Sequence, residues 1–234
     1  MKPLLGGEFA NCLDSLEIDR VLEKIQTKDR AIFLPAECTR DIFTNDDYAR
    51  QFVGDVPVVI PFHSHSHWIA VVVIGDIAYV ADSAPSDKTA GDVAKLIKRV
   101  GEMKGEIMKT VVCFVPRQPY ASNECGIHML VNSLLVLEGW IVNARGWVIS
   151  YGQLRSVAVE IAEGRMEGAA LMEGAKVIAA QEGLLLCDVM SEEETLAEAD
   201  RCLLRSKRVV ALDFHNKAVE SRMILGARKN RRFK

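Results

Sequence analysis

The sequence has no apolar run long enough to cross a membrane, and residues 1–15 lack the layout of a secretory signal peptide. It contains no CxxC spacing, which makes a disulfide framework or a zinc finger unexpected. It also has no HExxH motif of the kind that binds catalytic zinc. We therefore expect a cytoplasmic or nuclear protein with mostly free thiols. The six cysteines are widely spaced: Cys12, Cys38, Cys113, Cys125, Cys187 and Cys202.

What the chain does contain is enough apolar material for a substantial core, since 49% of its 234 residues are hydrophobic. Its net charge of −3 is unevenly distributed, because residues 222–234 carry six basic side chains and no acid. Such a tail is typical of a nucleic-acid contact or a nuclear address, and equally of a frayed, solvated end. A partner nucleic acid is therefore one of three open alternatives.

Hydrophobic periodicity predicts alternating helices and strands without a long linker. The helix at residues 125–138 is apolar nearly all round, which places it at the centre of the core. Helices are predicted at residues 14–26, 44–52, 89–103, 125–138, 151–163 and 191–205, and strands at residues 31–34, 56–60, 67–74, 77–82, 110–115 and 208–214.

The strands at residues 67–74 and 77–82 are predicted to form a tight hairpin, because only Gly75 and Asp76 separate them. Counting outward from this turn places Asp82 opposite Ile69, on the face that also carries His67. His67 and Asp82 are then diagonal neighbours at a backbone separation of roughly 7–8 Å, which two inclined side chains can close to a hydrogen bond.

Cys125 stands at the start of the most apolar predicted helix. Unpaired amides and the helix dipole favour thiolate there, and a nearby imidazolium would lower the thiol pKa further. Gln118 precedes it in a loop bracketed by Pro116 and Pro119. Its amide, together with the backbone N–H of Cys125, would stabilise a tetrahedral oxyanion, while Gly126 would leave room for a substrate backbone. These residues predict thiol-based acyl transfer.

Three blocks, IPFHSHSHWIAVVVI, YVADS and PRQPYASNECGIHML, resemble the His-Trp, Asp and Gln-to-Cys-Gly blocks of the ubiquitin-like-protein (SUMO-type) proteases and of the adenovirus protease, adenain. The resemblance covers residues 56–139. It implies an α+β, papain-like cysteine protease fold, with a central mixed sheet flanked by helices and the nucleophile at the N-terminus of a buried helix. It implies a substrate that is a ubiquitin-like protein tail or a viral or mobile-element polyprotein, and no cofactor.

By this resemblance Cys125 is the nucleophile, His67 the general base, Asp82 its orienting acid and Gln118 the oxyanion-hole donor. Substrate binding is assigned to three neighbours of these residues: Trp68, Gly126 and Glu124. Glu124 stands where the family usually has aspartate. We divide the chain into a peptidase core at residues 1–165 and an extension at residues 166–234 that packs on or continues the core.

Two other functions compete with this interpretation. A module of the same fold could hold ubiquitin-like tails or partner proteins without cleaving them. A zinc hydrolase is the less favoured alternative: His63, His65 and His67 alternate onto one face if their strand starts early, and imidazoles two residues apart can bind zinc. We expect instead that His63 and His65 lie in a polar loop after Pro61.

Overall fold

Five strands form one mixed sheet whose spatial order follows the chain, in a computed structural model that describes residues 13–25, 31–138 and 147–182. β1 runs parallel to β2, the pairs β2–β3 and β3–β4 are antiparallel, and β5 returns parallel to β4. The strands are β1 (Ile32–Phe33), β2 (Val58–Ser64), β3 (His67–Ile74), β4 (Ile77–Ala81) and β5 (Lys109–Cys113).

Helices cover both faces of this sheet. The described residues contain α1 (Ser15–Ile25), α2 (Cys38–Asp41), α3 (Asp87–Lys104), α4 (Cys125–Leu137), α5 (Leu154–Ala162) and α6 (Ala169–Gln181), with a 3₁₀ helix at Asp46–Phe52. The predicted α+β class is confirmed, and so is the start of a buried helix at residue 125. None of the helices in these described ranges is long and apolar enough to span a membrane.

Two hydrophobic clusters lie on opposite faces of the sheet. Side chains alternate along β3, so Ala70 and Val72 pack with α4, while Ile69 and Val71 pack with α3. Because β3 has helices on both faces, its side chains are buried from His67 to Val73, and only the last residue, Ile74, is partly exposed. α4 is covered on its outer side by α1, α5 and α6, which explains why it is apolar nearly all round.

The β3–β4 hairpin has the predicted register. Ile74 pairs with Ile77 across the two-residue turn, and the ladder continues without a bulge to Ala70 and Ala81. Gly75 has a φ of 54°, a left-handed conformation that glycine adopts without steric cost. Continuing this register by one residue beyond its last pair sets Asp82 opposite Ile69, on the face that carries His67.

β2 extends beyond its predicted end, and this corrects the expectation that His63 lies in a loop. The strand passes through Pro61, whose carbonyl accepts a hydrogen bond from the Thr39 hydroxyl at 3.0 Å, on the side away from β3. β1 pairs with β2 only as far as Val59, so the missing N–H of Pro61 leaves no ladder bond unmade. His63 is therefore a strand residue paired with Trp68.

Three further differences concern helices. The helix expected at residues 44–52 is a 3₁₀ helix, begun by Asn45, whose side chain accepts from the Asp47 N–H. α6 was not predicted, and its apolar face packs into the same cluster as α4. A Cβ at Gly174 would lie 2.6 Å from Leu154, so glycine permits α6 to approach α5 closely. The helix and strand predicted at residues 191–205 and 208–214 lie outside the described residues, and the division at residue 165 stays a prediction.

Candidate active site

The predicted catalytic side chains come together at one edge of the sheet. His67 begins β3, Asp82 directly follows β4, and Gln118 lies in the loop after β5. The N-terminus of β3 and the C-termini of β4 and β5 share this edge because β3 is antiparallel to β4 and β5 is parallel to it. Cys125, the first residue of α4, lies at the same edge, where its thiol interacts with His67.

His67 and Asp82 form a short hydrogen bond. Nε2 of His67 lies 2.6 Å from Oδ1 of Asp82, and both side chains are 11% exposed. The carboxylate is held by two further donors, the Ala84 N–H at 2.8 Å from Oδ1 and the Thr89 hydroxyl at 3.3 Å from Oδ2. Because Nε2 is taken by Asp82, Nδ1 is the ring nitrogen left for the thiol of Cys125.

The environment of His67 favours the imidazolium form. Burial acts to lower its pKa, but hydrogen bonds to Asp82 and Cys125 outweigh burial and raise it from 6.5 to about 9. The Asp82 carboxylate also attracts the positive charge directly. Its two hydrogen-bond partners therefore favour a protonated His67.

The thiol of Cys125 has the complementary shift. Burial acts to raise its pKa, but the hydrogen bond to His67 and the backbone N–H groups of Trp68 and Gly126 lower it below its usual value of 9.0. Cys125 as a whole is 6% exposed. Cys38 and Cys113 differ sharply, because burial raises the pKa of each thiol to about 12. Among the described cysteines, the conditions for a reactive thiolate are met at Cys125.

Gln118 is held in one orientation by a residue that the sequence analysis did not single out. The Ser83 hydroxyl donates to Oε1 of Gln118 at 3.0 Å, and the Gln118 N–H donates to the Ser83 carbonyl at 3.1 Å. Since Oε1 is occupied, the amide NH₂ is the part of the side chain left to donate elsewhere. Ser83 directly follows Asp82 in the YVADS block, and this position beside a predicted catalytic residue is the feature of the sequence that could have indicated its role.

Trp68 is 8% exposed and packs against His63, with ring centroids 4.6 Å apart. A cavity of about 300 Å³ lies beside it, lined also by Leu13 and by the acidic residues Asp14 and Glu37. The backbone N–H of Trp68 is bonded to the Cys125 sulfur, whereas Cys125 itself does not line this cavity.

Gly126 and Glu124 face the protein interior. A Cβ at Gly126 would lie 3.0 Å from Leu13 and 3.6 Å from Ile18, so glycine here lets α1 pack against α4. The room predicted for a substrate backbone is taken on that side by these two residues. Glu124 is 3% exposed, and both of its carboxylate oxygens accept hydrogen bonds from the segment that follows α4 in the described chain.

The three histidines of the zinc-hydrolase alternative, His63, His65 and His67, do not share a ligand position. His63 contacts Trp68, and His67 is bonded to Asp82. His65 lies on the β2–β3 turn, where its Nε2 is 3.2 Å from Oδ2 of Asp92. They diverge because the chain reverses at residues 65 and 66, instead of continuing as one strand. Over residues 13–25, 31–138 and 147–182, no cluster of three or more metal-ligating side chains is found.

No protein-family model and no curated protein matches the chain. Among solved structures it is similar to the Ulp1-like SUMO protease catalytic domain of Chaetomium thermophilum, with 18% identity and a TM-score of 0.46 over 70% of this chain and 74% of that one. It is also similar to a de-sumoylating protease, with 14% identity and a TM-score of 0.40 over 75% of this chain and 86% of that one.

Proposed function

We propose that this protein is a cysteine peptidase or isopeptidase. Cys125 is its nucleophile, and His67 transfers the proton. Asp82 orients the imidazole, and Gln118 donates to the oxyanion. The observation that supports this assignment is the contiguous row of thiol, imidazole and carboxylate at one edge of the sheet, in which the pKa of His67 is raised and that of Cys125 lowered.

The proposed reaction begins with the thiolate of Cys125 attacking the substrate carbonyl carbon. The tetrahedral intermediate collapses as the C–N bond breaks, and the imidazolium of His67 gives its proton to the departing amine. The acyl group is then a thioester on Cys125. Water attacks this thioester as neutral His67 takes its proton, and the carboxylate product leaves with the thiolate restored. Each step uses protein side chains and water, so no cofactor is required.

The developing oxyanion needs donors that are already in place. The amide NH₂ of Gln118 and the backbone N–H of Cys125 are the two candidates, and the Ser83 bond to Oε1 holds the Gln118 amide so that its NH₂ is free to donate. Ser83 is thus a positioning residue for the oxyanion donor in this proposal.

We infer that the substrate is the C-terminal tail of a ubiquitin-like protein. The inference is supported by the resemblance of the blocks around His67, Asp82 and Cys125 to those of the SUMO-type proteases. A viral or mobile-element polyprotein with a similar Gly-rich site is the second substrate class, supported by the resemblance to adenain. The basic residues 222–234 lie outside the described residues, so nucleic-acid binding stays a prediction.

A panel of electrophilic probes tests activity and substrate class together. Ubiquitin, SUMO and other ubiquitin-like proteins carrying a C-terminal vinyl-type electrophile, with short Gly-Gly peptides carrying the same group, are incubated with the purified chain. We expect covalent labelling at Cys125 by at least one probe, and its loss in Cys125→Ala. Cys113→Ala is the matched control and should label like the wild type, because its thiol is buried and unactivated.

A binding module of the same fold would give a different result. It would associate with one of these proteins without forming a covalent bond, and Cys125→Ala would bind as the wild type does. Association without labelling across the whole panel would therefore replace the peptidase proposal with the binding module.

A further inference from the structure

Residues 147–151, here called the 147–151 segment, contact both sides of the proposed oxyanion site. On one side they hold the loop that carries Gln118: the Arg117 N–H donates to the Trp147 carbonyl at 2.9 Å, and the Ile149 N–H donates to the Arg117 carbonyl at 2.9 Å. The residue immediately before Gln118 is thus bonded to this segment through both of its backbone groups.

On the other side the same segment is held by the start of α4. The Ser150 hydroxyl donates to Oε1 of Glu124 at 2.8 Å, and the Tyr151 N–H donates to Oε2 at 2.9 Å. His128, one turn into the helix, lies with Nε2 3.2 Å from the Ile149 carbonyl. Three consecutive residues are therefore bonded to the helix that Cys125 begins.

Glu124 occupies the N-cap position of α4 but does not cap it. Aspartate, unlike the longer glutamate, commonly accepts a hydrogen bond at this position from the second or third N–H of its own helix. Here both oxygens are turned to the 147–151 segment, and no side-chain cap bond forms. The carboxylate therefore leaves the first amides of α4 uncapped on the side where the sulfur of Cys125 receives the Gly126 N–H.

We propose that Glu124 is a positioning residue that joins the Gln118 loop to the start of α4, and so sets the separation of the two oxyanion donors. This inference rests on the proposed peptidase function. The negative charge of Glu124 is not what the site uses, because a carboxylate beside a thiolate opposes its formation. What it supplies is two acceptor oxygens at fixed positions, with Tyr151 fully buried behind them.

This argument makes the conservative variant informative. In Glu124→Gln the amide oxygen can accept from the Tyr151 N–H, and the amide NH₂ can donate to the Ser150 hydroxyl oxygen, so both links survive without charge. In Glu124→Ala both links are lost, and a buried N–H at Tyr151 is left unpaired. Ser150→Ala removes one link and keeps the other.

The experiment measures turnover of these variants and of Gln118→Ala. The substrate is SUMO, or the protein of the panel that labels best, with aminomethylcoumarin attached to its C-terminus, and the release of this fluorophore gives kcat and KM. For Glu124→Ala we expect kcat to fall about 10- to 100-fold with KM within about threefold, as when a supporting contact of a catalytic group is removed. Glu124→Gln should stay within about threefold of the wild type. The double variant with Gln118→Ala should be about as slow as Gln118→Ala alone, because both changes disable the same donor pair.

Alkylation of Cys125 by iodoacetamide separates positioning from general damage, since it needs the thiolate and forms no oxyanion. In Glu124→Ala the alkylation rate at neutral pH should not fall below that of the wild type, because removing a nearby carboxylate does not disfavour the thiolate. If Glu124→Ala does not fold, Ser150→Ala carries the test, with an expected loss of about 3- to 10-fold in kcat. The inference would be overturned by a wild-type kcat in both Glu124→Ala and Ser150→Ala, or by effects of Glu124→Ala and Gln118→Ala on kcat that simply add in the double variant. A kcat as low in Glu124→Gln as in Glu124→Ala would overturn it too. A wild-type chain that no probe labels would overturn the peptidase proposal together with it.

Discussion

Replacing Asp82 with asparagine removes the charge that favours the imidazolium form of His67, while keeping a side chain of nearly the same shape. The amide oxygen can take over the bonds from His67 and from the Ala84 N–H, and the amide NH₂ then faces the Thr89 hydroxyl oxygen. The perturbation is therefore mainly electrostatic.

Its size follows from the shift of His67. A rise in its pKa from 6.5 to about 9 corresponds to roughly 3 kcal/mol in favour of the imidazolium. The hydrogen bonds to Asp82 and Cys125 share this preference. If Asp82 supplies half or more of it, Asp82→Asn shifts the equilibrium between thiolate–imidazolium and the neutral pair about 10- to 100-fold toward the neutral thiol.

Iodoacetamide alkylation of Cys125, followed by mass spectrometry from acid to alkaline pH, measures this shift. At neutral pH we expect Asp82→Asn to react about 10- to 100-fold more slowly than the wild type, and the two rates to converge once pH exceeds the ordinary thiol pKa. The alkaline limb of the turnover profile should move from about pH 9 toward 6.5, because the leaving amine needs the imidazolium proton.

Asp76→Asn is the matched control, since Asp76 lies at the opposite end of the same hairpin and pairs with Lys109 at 2.8 Å. It should leave the alkylation profile unchanged. An alkylation rate for Asp82→Asn within about twofold of the wild type at neutral pH would refute the proposed role of Asp82.

Two further predictions concern stability. Ser66 has a φ of 60° on the exposed β2–β3 turn, so Ser66→Gly should raise the free energy of unfolding, measured with urea, by about 0.5–1 kcal/mol. The control Ser156→Gly, on the exposed face of α5, should lower it by about 0.5 kcal/mol, and a change of the same sign in both variants would contradict the strain argument. Burial lowers the pKa of His128 from 6.5 to about 4, so the unfolded chain binds the proton more readily. The free energy of unfolding should therefore fall by up to about 3 kcal/mol as the pH drops from 6.5 to about 4, and it should fall less in His128→Gln. An equal loss of stability in the wild type and in His128→Gln would exclude His128 as the cause.

The contact between His67 and Asp82 could be predicted because it depends on a short, local rule. A two-residue turn sets the register of the hairpin, and strict alternation then puts both residues on one face. The zinc-hydrolase alternative required the three histidines to lie along one strand. The chain instead reverses at residues 65 and 66, where both φ angles are positive, as in a tight hairpin turn.

Other parts of the site had no local signal. The apolar pattern of α6 is short, and its place in the core depends on packing into the cluster around α4, so local periodicity did not predict this helix. Glu124 was expected to face substrate because it precedes Cys125, yet its two donors come from Ser150 and Tyr151, which no pattern near the nucleophile indicates. Ser83 was visible in the sequence, but its bond to Gln118 was not.

Residue spacing by itself determined the alternating faces of β3 and β4, the hairpin register and the start of an apolar helix at Cys125, since each depends on backbone geometry over a few residues. Tertiary structure alone decided that this cysteine meets His67. Alternation along β3 places His67 on the side of the sheet that faces α3, whereas α4 packs on the other side. His67 and Cys125 can still meet, because both lie at the same edge of the sheet. That meeting depends on how α4 packs against β3, and packing is a property of the whole core.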